Sequence, residues 1–80
     1  MAVPRGFGIE RALGQALREH RVAAGLSQEQ LGFEAKISRN FVSLIETGRR
    51  CPSVCTLSAL AAVVGVAPSE LLREAEARMR

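Results

Sequence analysis

Hydrophobic positions recur at helical spacing in five short runs along the chain, each bounded by a capping residue, a glycine or a proline. From about Ile9 to Ala24, the residues Leu13, Ala16, Leu17 and Ala24 share a face, and Gly25 supplies a closing turn. This predicts a first helix. Ser27 with Gln30 three residues on has the form of a capping box, in which the hydroxyl accepts a backbone N–H and the Gln side chain returns to the cap's own N–H. A second helix therefore begins at Gln28. Ser38 repeats the cap ahead of RNFVSLIE, and Gly48 follows as the residue best suited to a left-handed closing turn, so a third helix runs from Arg39 to about Glu46. Ser53 caps a fourth, with Leu57, Leu60, Ala61 and Val64 at i, i+3, i+4 and i+7 and Gly65 at its end. Pro68 suits the first turn of a fifth, on which Leu71, Leu72, Ala75 and Met79 share a face. RRCPS, with Pro52, reads as a loop. MAVPRGFG has no periodicity and reads as a disordered lead-in over residues 1–8, with 9–80 as one domain.

The second and third helices form the most organised stretch. Leu31, Ala35, Ile37, Val42 and Ile45 have the spacing that closes both on one small core. At about 100° per residue, Asn40, Ser43, Leu44 and Thr47 fall away from the Val42 and Ile45 edge, and Arg39 lies at the exposed N-terminal end. Major-groove reading needs this division between an inner edge that fixes a short helix and an outer edge of donors, acceptors and apolar surface. Asn40 can pair with adenine N6 and N7, and Leu44 offers a surface to a thymine methyl, with Ser43 beside it. Arg39 can bond guanine O6 and N7, or hold a phosphate instead, since its angle is nearer the core edge. The N terminus of the second helix at Gln28, together with Ser38, Arg49 and Arg50, suits phosphate contacts.

The segment SQEQLGFEAKISRNFVSLIETGRRCPS resembles the helix-turn-helix of the phage repressor and Cro family, also called the XRE family, and the likeness continues through TLSALAAVVGVAPSELL. It spans roughly Leu13 to Leu72. The resemblance implies an all-α, compact five-helix bundle that binds double-stranded DNA sequence-specifically as a homodimeric, repressor-type transcription regulator on a palindromic operator. It also implies a salt bridge between Arg21 and Glu46. Two residues depart from the family pattern: Lys36 stands where glycine is favoured in the inter-helix turn, and Gly32 where alanine is usual. The fifth helix's apolar stripe of Leu71, Leu72, Ala75 and Met79 is long for so small a domain, and is the expected dimer interface.

Composition adjusts this picture modestly. Eighty residues with 48% hydrophobic content support one domain with a small core, which dimerisation would help. A net charge of +3, resting on ten Arg and one Lys, favours an anionic partner. No apolar run reaches the roughly 18 residues of a membrane span, and Met1 to Gly8 lacks a signal peptide's apolar core, so a cytoplasmic protein is expected. Cys51 and Cys55 fit no zinc spacing and read as two reduced thiols, a redox switch beside the loop being the sharper alternative. His20 flanks the first apolar stripe and receives no role. Phe33 and Phe41 suit an aromatic contact between the second and third helices better than base stacking. With one His, no Asp and no nucleophile beside a base, no enzyme, metal, cofactor or small-molecule ligand is expected. The rival reading is a protein-interaction module, such as an antitoxin or adaptor subunit. The polar set Arg39, Asn40 and Ser43, flanked by Arg49 and Arg50, weighs against it.

Overall fold

The structure, a computed structural model, describes residues 8–79. Five helices follow one another: α1 (Ile9–Ala23), α2 (Gln28–Ala35), α3 (Arg39–Glu46), α4 (Val54–Val64) and α5 (Pro68–Arg78). Among the described residues there is no strand, and no single helix is long and apolar enough to cross a membrane. The expected lead-in lies almost wholly outside the described residues, with only Gly8, which precedes α1, inside them.

Local chemistry sets the helix starts. Ser27 Oγ accepts the Gln30 N–H at 3.0 Å while Gln30 Oε1 accepts the Ser27 N–H at 2.8 Å, so the capping box is complete. Ser38 and Ser53 likewise accept the N–H of Phe41 and Thr56, each at 3.0 Å. Gly65 closes α4 with φ 85°. At the C-cap of α2, Lys36 is itself left-handed, with φ 63° and ψ 39°, and gives up roughly 1–2 kcal/mol that glycine would not. Gly32, the other departure, allows the chain to fold back there, since a Cβ on it would stand 2.7 Å from the Ile37 carbonyl oxygen.

Leu17, Leu31, Val42, Ile45, Leu60 and Leu71 fill the centre, each at most 1% exposed. Helix α1 packs against both α5 and α3, and α2 packs against α3 and α4, so the two short helices are held from behind on both sides. The α1 to α3 crossing is a backbone contact: a Cβ on Gly14 would lie 2.3 Å from the Ile45 carbonyl oxygen and 2.7 Å from that of Glu46. The α1 to α5 seam carries polar ties, with His20 Nε2 at 2.9 Å from Glu74 and Arg78 donating to Glu19 at 2.6 Å. The Arg78 hydrogen bond holds the Glu19 carboxyl below its usual range.

Three expectations require correction. Ala24 is the exposed C-cap of α1, one residue beyond the buried stripe. Phe33 makes no aromatic contact with Phe41: it is 81% exposed, because two residues on from Leu31 it stands about 200° round α2 from the core. Phe41 alone packs against the core. Leu71 and Ala75, expected in a dimer interface, are both 0% exposed and belong to the chain's own core, which α1 completes. Only Leu72 and Met79, at 41% and 45%, remain on the surface of that stripe.

Candidate nucleic-acid interface

The two short helices are oriented by one carboxylate. Glu46, on the last turn of α3, is 6% exposed, and burying an unpaired carboxylate there would cost several kcal/mol. It is fully engaged instead. Arg21 Nε donates to Oε2 at 2.6 Å and Arg21 Nη2 to Oε1 at 3.1 Å, in the two-pronged geometry that suits guanidinium and carboxylate. Gln28 Nε2 adds a third bond to Oε1 at 3.0 Å. Arg21 Nη1 also donates to the Leu26 carbonyl at 2.8 Å, tying the loop before α2 into the same network. Helix α1, the first turn of α2 and the last turn of α3 thus meet at one side chain.

These contacts change what several residues have to offer. Arg21 has its fork committed inward, with its side chain 11% exposed, so it positions helices and is not a free cation. Gln28 spends one amide N–H on Glu46, which leaves the backbone N–H groups at the start of α2 as the chief donors at that end. Ser38 uses its oxygen as a cap acceptor and retains its hydroxyl proton for an outside acceptor. Thr47 Oγ1 donates to the Ser43 carbonyl at 2.9 Å and turns back on its own helix.

The outer face of α3 is unengaged by comparison. Arg39 and Asn40 are exposed, Ser43 and Leu44 half-buried, and among the described residues none of these four side chains has a hydrogen-bond partner. Gln28, Arg39, Asn40 and Ser43 together line a recess of about 210 Å³ between the N-terminal turns of the two helices. Leu44 lies outside that recess, one turn along. After α3, Gly48 turns left-handed and the N–H groups of Arg49 and Arg50 both donate to the Leu44 carbonyl, at 2.9 and 3.2 Å. Two adjacent exposed arginines are thereby fixed at the end of α3 by backbone bonds that leave their guanidinium groups free.

Sequence reasoning missed the Gln28 contact, for which the residue alone carries no signal, and Gly14, for which a glycine inside an apolar helical stripe was the signal. Cys51 and Cys55 are both exposed free thiols. Among the described residues no group of His, Cys, Asp or Glu is placed to hold a metal ion.

The helix-turn-helix domain family matches residues 12–75. The chain is 35% identical over 65 residues to control protein C.BamHI of Bacillus amyloliquefaciens, covering 80% of each chain. Its fold superposes on the crystal structure of the clp gene regulator ClgR from C. glutamicum with a TM-score of 0.85 and 29% identity, over 90% of this chain and 92% of that one. The restriction-modification controller protein C.AhdI from Aeromonas hydrophila gives a TM-score of 0.74 and 41% identity, over 76% and 92%.

Proposed function

The chain belongs to the helix-turn-helix domain family, and from that premise we propose that it binds double-stranded DNA sequence-specifically as a homodimeric, repressor-type transcription regulator. The observation that carries this reading is the division of labour on α2 and α3. Inner side chains lock the pair through Glu46, while Arg39, Asn40 and Ser43 stay unspent around an open recess, with Leu44 one turn along. Arg39, Asn40 and Ser43 present donors and acceptors of the kind that base edges and phosphates take. Arg39, Asn40, Ser43 and Leu44 read bases, and the start of α2 at Gln28, the Ser38 hydroxyl, Arg49 and Arg50 hold phosphates. Residues 9–80 act as one DNA-binding domain in a cytoplasmic setting, without catalysis. The names of the relatives, a control protein, a gene regulator and a restriction-modification controller, support regulation of transcription.

The partner contact is assigned to Leu72 on α5 and Met79 at its C-cap, seven residues apart and so on one side. A two-fold axis there sets two recognition helices about 34 Å apart, for a palindromic site.

Selection of bound duplexes from a random pool, followed by the same selection with Arg39→Ala, tests the central claim. A base-reading Arg39 predicts a loss of about 1–3 kcal/mol on the selected site and a flattened preference at one position in each half. An unaltered site profile in the variant removes Arg39 from base reading and leaves it a phosphate ligand. No enrichment by the wild-type protein overturns the proposal and favours the protein-interaction reading.

A further inference from the structure

Helix α1 carries an unassigned cation at the edge of the candidate interface. Gly48, with φ 78°, lies directly on the backbone of Arg11: a Cβ on the glycine would stand 2.9 Å from Arg11 Cα and 3.1 Å from its N and Cβ. Since successive Cα atoms are about 3.8 Å apart, the Cα atoms of Arg11 and Arg49 lie within roughly 8 Å of one another. Arg11, Arg49 and Arg50 are all exposed. The ion pairs among the described residues engage Arg21, Arg73, Arg78 and His20, and none engages Arg11, Arg49 or Arg50. With the backbones of Arg11 and Arg49 this close and neither side chain, nor that of Arg50, held by a carboxylate, all three guanidinium groups are available to one line of phosphodiesters.

We propose that Arg11 is a DNA-phosphate ligand, extending the Arg49 and Arg50 loop into a cationic strip that runs onto α1 and holds a phosphate beside those the loop holds. This rests on the reading of that loop as DNA-facing. It enlarges the interface from the helix-turn-helix to the first helix, at a residue outside the matched segment 12–75.

The test is fluorescence anisotropy with a labelled duplex of random sequence, titrated between about 50 and 200 mM salt, where the slope of log K against log salt counts neutralised phosphates at about 0.9 per contact. Arg11→Ala and Arg11→Gln are each expected to lower the slope by about 0.9 per bound protomer, about 1.8 for a dimer, as Arg49→Ala does, while Arg11→Lys retains it. Arg73→Ala removes the same charge from the exposed side of α5 and is expected to leave the slope unchanged; far-ultraviolet circular dichroism establishes that each variant is folded. A wild-type slope in folded Arg11→Ala and Arg11→Gln, with a reduced one in Arg49→Ala, overturns the Arg11 contact alone. Wild-type slopes in all of these variants overturn the DNA-facing loop and Arg11 with it. An equal loss in Arg73→Ala shows a net-charge effect and also overturns the assignment.

Discussion

Glu46 shows how much one residue can organise in a chain of 80. Its carboxylate takes three hydrogen bonds from two side chains, and removing it leaves the Arg21 guanidinium buried without a counter-charge. Glu46→Ala is therefore expected to destabilise the fold by about 3–5 kcal/mol in urea denaturation, the range for breaking a buried pair. A loss near the 0–1 kcal/mol of a surface pair would show that the network is solvated in solution. The pairing of Arg21 with Glu46 was accessible only through resemblance, because 25 residues separate the partners and no local pattern joins them. The serine caps were accessible directly, since each acts within three residues of itself. Phe33 was misread for the opposite reason: aromatic character suggested packing, whereas its angle on α2 already pointed outward.

At the scale of elements, periodicity located all five helices, yet it could not say what covers each apolar face. Leu71 and Ala75 looked available for a partner because the stripe on α5 is long, and the chain's own α1 takes that side instead. Helix crossings made by backbone have even less signature. Gly14 is such a crossing, and adding a methyl there pushes α1 off the last turn of α3. Gly14→Ala would gain about 1 kcal/mol of helix propensity in an isolated helix. Here the clash with two carbonyl oxygens is expected to dominate, giving a net destabilisation of about 1–3 kcal/mol by thermal or urea unfolding. A stabilised variant would mean that α1 does not touch the backbone of α3.

For the whole molecule, the proposed partner contact rests on the small core and on the exposed pair Leu72 and Met79. A chain this short buries a low fraction of its surface, and covering Leu72 and Met79 with a second copy adds to what it can bury. Leu72→Glu is expected to yield monomers by analytical ultracentrifugation and to weaken binding to a two-half-site duplex, because charge enters an apolar contact. The wild type sedimenting as a monomer in the presence of its selected duplex would rule out this interface. Of the stripe expected to meet a partner, Leu71 and Ala75 are spent on the chain's own interior, and only Leu72 and Met79 remain on the surface.

The position of Glu46 at the far end of α3 from Arg39 and Asn40 also separates two selective pressures. Arg39, Asn40, Ser43 and Leu44 contribute no side-chain hydrogen bond to the fold, so their identities are free to vary while the docking of the helix stays constant. On the proposed base-reading role of these four residues, descendants of such a chain would acquire new target sites by exchanging a few outward residues, and copies of the gene would diverge in target without first solving a folding problem.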